Sequence, residues 1–424
     1  MFLLFPIQEK AALPLFKSKI NNQMMMGGYY SSESDIDYEE PPEPQYKLLS
    51  DPQVCIVCKF ADATSHGYDI VIAPTSSSSS SSSSNTITIR PALRLKTGMS
   101  TYDGFAFCGL ASTLYLFDMT PSTSAYMLDL SPHLASGLPT VEFGIADLTL
   151  VSCMRHPKRI PNAIPTPDAT KILVFSRLIE FDRGTGLAGG TSFELYDPST
   201  DTWLLLPGIQ DDYCFGVDHC LAHITKYAFV DDTTFFIQTA EGNSNSSKRT
   251  IFCLHLDTIA RGWQRLDNYF GAHSVLRRQS FDRFHVIEET LFVTPHHIYD
   301  LRRRRRRRRR DEQESSLVNL VLGPLAPDFR LSAPDSVWLL DGNNNNNKVG
   351  GKYTFCTLRT GIRRRTREPK LVMALHHCDV ARYREDGEEL SNSILPGERI
   401  DIVFPLVHTK CRAFDPIHLF TISN

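Results

Sequence analysis

Between residues 113 and 358 the chain repeats one kind of segment, a short run of apolar, β-branched and aromatic residues closed off by Asp, Gly, Pro, Ser or Asn. Thr113 to Phe117, Lys171 to Phe175, Thr234 to Gln238, Thr290 to Val293 and Ser336 to Leu340 are clear examples, and their starts lie 58, 63, 56 and 46 residues apart. Such runs predict strands, because branched and aromatic side chains suit a pleated surface and the bounding residues favour turns. A second run follows each after a polar or Gly-rich gap: Ala125 to Leu130, Ser192 to Tyr196, Thr250 to Leu256, His297 to Leu301 and Tyr353 to Leu358. The turns echo one another as well. Phe229-Val230-Asp231-Asp232-Thr233 resembles Val286-Ile287-Glu288-Glu289-Thr290, and Pro167-Asp168-Ala169 resembles Pro334-Asp335-Ser336. Long segments with helical periodicity are scarce, so an all-β repeat architecture is expected.

Repeat periods of roughly 40 to 50 residues, stretched by insertions, belong to propeller blades. Residues 51–424 at the observed spacing make roughly six blades of four antiparallel strands, within the usual range for that architecture. Residues 1–50 differ from the rest: the stretch from Ser31 to Pro44 is acidic and Pro-rich, and the expectation is a disordered leader. Low-complexity insertions at 76–84 (Ser), 302–310 (Arg) and 343–347 (Asn) bury no apolar surface and are expected in exposed loops.

The composition, 42% hydrophobic and 22% charged, is that of a globular protein. The net charge of −3 conceals an asymmetry, because nine of the 45 basic residues form one block. Without it 36 basic residues face 48 acidic ones, so a generally basic nucleic-acid-binding surface is not expected. The opening Met-Phe-Leu-Leu-Phe-Pro-Ile is too short for a signal-peptide core, and no run reaches the length of a membrane span. Ten cysteines without regular spacing fit reduced, buried thiols. A cytoplasmic or nuclear protein without membrane contact, monomeric in solution, is expected.

The sharpest motif is Leu195-Tyr196-Asp197-Pro198-Ser199-Thr200-Asp201-Thr202-Trp203 with Leu206-Pro207 beyond it. Its counterpart is Leu256-Asp257 with Trp263 and Leu266; the Asp-to-Trp spacing is six in both, and the tryptophans are 60 apart. Tyr299-Asp300 and Leu128-Asp129 are partial copies. Asp197 is suited to bonding the backbone donors of a tight turn, and Trp203 to filling the wedge between neighbouring sheets. This arrangement resembles the kelch repeat of plant kelch proteins and galactose-oxidase-like propellers, in which an aromatic and an Asp end the third strand and a Trp begins the fourth. The resemblance covers residues 90 to 370 and implies structural roles for Tyr196, Asp197, Trp203, Leu256, Asp257, Trp263, Tyr299 and Asp300. The chain departs from the family pattern, which carries a Gly pair directly after the second strand: the obvious candidate, Gly189-Gly190, is displaced toward the third strand. Leu13-Pro14 is too little for an F-box, and the Gly-His and Trp-Asp marks of WD repeats are missing.

No linear catalytic motif is legible: there is no phosphate-cradling loop, nucleophile elbow or paired His-Glu zinc motif. Cys55-x-x-Cys58 lies in a strand-like run that sets its thiols on opposite faces, with no second pair at zinc spacing. Cys214, His219 and Cys220 beside Asp211, Asp212 and Asp218 read as a polar loop. Neither a cofactor nor a metal is expected. The copper ligands of kelch-like oxidases have no residue-by-residue counterpart here.

The function expected is a non-catalytic scaffold that binds a protein partner through loops on one face. The segments Asp118 to Ser124, Phe181 to Gly190, Glu241 to Lys248 and Gly342 to Lys352 are long and polar, and are read as the connections between second and third strands. A propeller enzyme with a site at the channel mouth is the alternative. A third reading is RNA association or nuclear import through Arg302, Arg303, Arg304, Arg305, Arg306, Arg307, Arg308, Arg309 and Arg310, aided by Arg363 to Arg365 and Arg367.

Overall fold

The computed structural model describes residues 53–61, 66–74, 92–97, 104–119, 122–134, 140–180, 193–209, 221–241, 249–266, 284–287, 291–293, 297–300, 316–319, 329–331, 337–342, 350–363, 369–385, 388–405 and 413–422. The expected leader and the Ser, Arg and Asn insertions lie outside them. Each apolar run forms a strand: Thr113–Asp118, Ile172–Ser176, Thr234–Glu241, Leu291–Val293 and Val337–Gly342. So do the runs that follow, as Ala125–Asp129, Phe193–Asp197, Arg249–His255, His297–Asp300 and Gly350–Arg363. Among the described residues helix is confined to the short 3-10 segments Ser131–His133, Ile145–Asp147 and Leu256–Arg261. The described body is all-β, and none of its helices is long and apolar enough to cross a membrane.

The strands make six sheets. The second holds Phe105–Leu110, Thr113–Asp118, Ala125–Asp129 and Thr149–Val151. The third holds Pro161–Pro165, Ile172–Ser176, Phe193–Asp197 and Thr202–Leu205. The fourth is built on Leu221–Phe229, Thr234–Glu241, Arg249–His255 and Gln264–Arg265, and the fifth on His285–Ile287, Leu291–Val293, His297–Asp300 and Ser316–Asn319. All four are antiparallel in sequence order.

The first and sixth sheets are less regular. In the first, Gln53–Ala61, His66–Pro74 and Leu93–Lys96 follow in order, but the strand on the other side of Gln53–Ala61 is Ala413–Ile422 from the far end of the chain. Ile422 pairs with Gln53 and Ala413 with Ala61, across an irregularity between Val57 and Cys58. In the sixth, Val337–Gly342 and Phe329–Leu331 lie along the same side of Gly350–Arg363, followed by Pro369–Glu385 and Glu388–Pro405. The two short strands are halves of one interrupted edge. The sequence between them contains Pro334, which has no N–H to donate to a ladder. This corrects the expected strand order. The segment after Gly342 joins the first strand position to the second, so it leaves the sheet at the end opposite the other three long gaps.

Two connections cross between sheets. Val141–Gly144, from the third-to-fourth connection of the second sheet, runs parallel to Leu93–Lys96 on the edge of the first. Leu178–Glu180, continuing Ile172–Ser176 of the third sheet, pairs with Leu221–Phe229 of the fourth. The first strands of successive sheets also approach one another: Ala413–Ile422 meets Phe105–Leu110, which meets Pro161–Pro165, while Leu221–Phe229 meets His285–Ile287, which meets Val337–Gly342, which returns to Ala413–Ile422.

Burial on both faces explains why the strands read as continuous apolar runs rather than alternating ones. Leu114 and Leu116 pack toward the first sheet, whereas Tyr115 and Phe117 pack toward the third. Ile172 and Val174 face the second sheet, and Leu173 and Phe175 face the fourth.

Candidate functional site

The Asp-to-Trp motif forms a hairpin in which Tyr196 is opposite Trp203 and Asp197 opposite Thr202. Asp197 Oδ1 accepts the Ser199 N–H at 3.0 Å and its hydroxyl at 2.6 Å, and these bonds, the hydroxyl's first, hold the carboxyl below its usual range. Asp129 and Ser131, Asp168 and Thr170, and Asp231 and Thr233 make the same local turn, with N–H to Oδ1 distances of 2.9, 3.2 and 2.8 Å. A short carboxylate side chain suits this role because it closes a turn on the backbone two residues ahead.

Asp201, four residues after Asp197, reaches out of its own sheet. It sits at φ +51°, in the left-handed region that Asp tolerates better than most residues. Its Oδ1 accepts the Ser152 N–H at 2.9 Å and the Tyr196 hydroxyl at 2.8 Å, and Oδ2 accepts the Ser152 hydroxyl at 2.8 Å. Those donors, the Ser152 N–H foremost, hold the Asp201 carboxyl low. Burial above all, and then the bond to Asp201, pushes the Tyr196 phenol up. The Trp203 indole N–H donates to the Ser152 carbonyl at 2.8 Å, and its ring meets Phe117 edge-on at 5.8 Å. Ser152 directly follows the outer strand of the second sheet, so this corner of the third sheet grips its neighbour by one Asp and one Trp.

The second motif repeats half of that grip. Trp263 donates to the Pro207 carbonyl at 2.8 Å, just past the outer strand of the third sheet, and its ring lies 4.7 Å from Phe193. Its turn differs. Leu256–Arg261 is 3-10 helical, and Gly262, at φ +69°, carries the chain back with a conformation that glycine adopts without strain. Leu256 is half-buried against the shared core, and Asp257 is exposed beside the Thr258 hydroxyl. Tyr299 and Asp300 end the third strand of the fifth sheet opposite Phe292 and Leu291. Arg302 to Arg310 and the Cys214 to Cys220 cluster lie outside the described residues.

From Ser152 the connector 152–160 joins the second sheet to the third, leaving the Asp201 corner and passing over Glu194, near the start of Phe193–Asp197. The Met154 N–H donates to the Thr123 carbonyl at 2.8 Å, and Lys158 bridges Met119, so the connector rests on the Asp118 to Ser124 loop. Beneath it Glu194 is fully buried. It accepts the N–H groups of Arg155 and His156 at 2.8 and 3.0 Å and pairs with the buried Lys158 ammonium. Burial drives the Lys158 pKa down and the Glu194 charge opposes it. Glu194 gave no signal in the sequence beyond a charge in an apolar run. Of the long gaps, 120–121, 181–192, 242–248 and 343–349 fall outside the described residues.

Among the described residues no three His, Cys, Asp or Glu side chains are grouped to hold a metal ion. Cys55 and Cys58 are buried and three positions apart on one strand; burial alone pushes the Cys55 thiol up, away from the thiolate a nucleophile or ligand needs. No protein-family model matches the chain, and no curated protein matches it.

Proposed function

We propose that the chain is a kelch-type β-propeller of six blades that acts as a non-catalytic protein-interaction module. The observation that carries the fold half is the paired use of tryptophan: Trp203 and Trp263 each bond the carbonyl just beyond the preceding sheet's outer strand, 2.8 Å away in both. The contacts of five of the six successive first-strand pairs, and the completion of the first sheet by Ala413–Ile422, support a ring.

The functional half rests on where the conspicuous polar groups are used. Asp129, Asp168, Asp197, Asp201 and Asp231 all close turns or bind neighbouring sheets, and Glu194 and Lys158 secure a connector. The long polar segments 119–124, 181–192 and 242–248, read in the sequence as loops of one face, are then the variable surface carried by a rigid frame. Replacing these three loops by short turns should leave the denaturation midpoint within error and abolish capture of the partner. Unchanged capture by a folded, loop-exchanged protein contradicts the reading.

A further inference from the structure

The connector 152–160 contains Arg155, His156, Lys158 and Arg159 and no carboxylate, in a chain whose balance outside the Arg block is strongly acidic. Lys158 is neutralised from below by Glu194. Arg159 reaches Glu180 at 3.2 Å on the surface. Arg155 is exposed, and its guanidinium has no ion-pair partner among the described residues. Because Glu194 holds the backbone N–H groups of Arg155 and His156, the basic side chains are displayed from a fixed backbone rather than a slack loop.

Ile160, the next residue, is at φ +51° with its side chain 47% exposed. A β-branched residue in that region is strained. The strain sits where the chain changes sheets: the Ile160 carbonyl accepts the Arg177 N–H, and the Arg177 carbonyl accepts the Ile224 N–H of the fourth sheet. Leu221, 38% exposed, is directly opposite Glu180 in that sheet. Arg159, its partner Glu180, Leu221 opposite Glu180 and Ile160 beside Arg159 are thus neighbours, and Arg155, without an ion-pair partner among the described residues, stands four positions before Arg159 on the same held connector.

We propose that Arg155, Arg159, Ile160 and Leu221 are the primary contact for the partner, and that they take an extended acidic peptide carrying an apolar side chain between its carboxylates. The inference rests on the binding-module reading above and adds its chemistry. A peptide carboxylate meets the Arg155 fork, a second competes with Glu180 for Arg159, and an apolar side chain covers Ile160 and Leu221. Carboxylate Glu180 and the two aliphatic residues make the patch a poor match for a polyphosphate backbone.

The test uses the full chain and immobilised twelve-residue peptides in three patterns: Glu alternating with Leu, Lys with Leu, and Ser with Leu. Binding at least tenfold tighter to the Glu–Leu peptide is expected, with the preference reversed toward Lys–Leu in Arg155→Glu/Arg159→Glu. Should that variant misfold, Arg155→Gln, which leaves the Arg159–Glu180 pair in place, is expected to weaken Glu–Leu binding severalfold. Ile160→Gly should weaken peptide binding while its melting temperature stays level or rises, since glycine relieves the positive φ. Equal binding to all three patterns, or binding unmoved by Arg155→Glu/Arg159→Glu, overturns the proposal. So does capture of single-stranded RNA in place of peptide. Loss of binding on exchange of loops 181–192 and 242–248 with none on charge reversal overturns this proposal but leaves the module reading standing. Insensitivity to both changes overturns both.

Discussion

The backbone N–H of Gly109 donates to Nε2 of His418, 309 residues further along the chain, at 3.2 Å. The bond ties the first strand of the second sheet to the C-terminal strand that completes the first. Phe420 lies over the same glycine so closely that a Cβ there would fall 2.0 Å from its ring. The contact requires a residue without a side chain. Gly109→Ala should therefore destabilise the protein by about 1–3 kcal/mol through overpacking, read from urea denaturation. Phe420→Ala in the same chain should recover part of that loss, and additive losses would show that the two residues do not share the contact.

The tryptophan grips should be separable by substitution. Trp203→Phe and Trp263→Phe each leave a backbone carbonyl without its indole donor and should cost about 1–3 kcal/mol. The larger loss is expected at Trp203, which is buried, than at Trp263, which is half-buried. Denaturation midpoints of the two variants decide it, and a loss at one site alone would break the equivalence of the two units.

The Glu194–Lys158 pair should show the asymmetry of buried charge. Glu194→Ala takes the carboxylate from a buried ammonium and leaves two backbone donors without their acceptor, and should cost about 3–5 kcal/mol. The double variant Lys158→Met/Glu194→Gln removes both charges while keeping an acceptor for the Arg155 and His156 N–H groups, and should be clearly more stable than Glu194→Ala. A double variant no better than the single one would place the energy in the backbone bonds.

Acid should loosen the turns. Hydrogen bonds hold the Asp129, Asp168, Asp197, Asp201 and Asp231 carboxyls low in the folded protein, at Asp231 against the opposing effect of burial. A carboxyl with a depressed folded pKa contributes stability above its unfolded pKa, about 3.9, and loses it as pH falls through the lower folded value. Urea midpoints should thus fall steeply below about pH 4. Asp→Asn variants at Asp129 and Asp168 keep an acceptor and remove the titration, so they should be less stable than the parent at pH 7 and indistinguishable from it near pH 2. A constant difference at both pH values would exclude the linkage.

The strands were legible in sequence because burial on both faces makes runs such as Ile172 to Phe175 wholly apolar, and because Asp and Pro mark their turns. The inter-sheet role of Asp201 was hidden, since its partner Ser152 lies 49 residues back and only its left-handed backbone at a hairpin corner hinted at it. Equal Asp-to-Trp spacing also concealed two different turns, because the 3-10 segment Leu256–Arg261 consumes residues before pairing resumes at Gln264. The order of the sixth sheet departs from expectation because Val337–Gly342, together with Phe329–Leu331, forms its first edge rather than a second strand. The pairing of Ala413–Ile422 with Gln53–Ala61 joins opposite ends of the body, and no local pattern could announce it.

The most direct measurement of the central claim is hydrogen–deuterium exchange of the full chain with and without its captured partner. Partner-dependent protection should fall on 119–124, 154–160, 181–192 and 242–248. The turns at 167–170 and 198–201 should exchange at unchanged rates. Protection confined to those turns or to Arg302 to Arg310 would contradict the account.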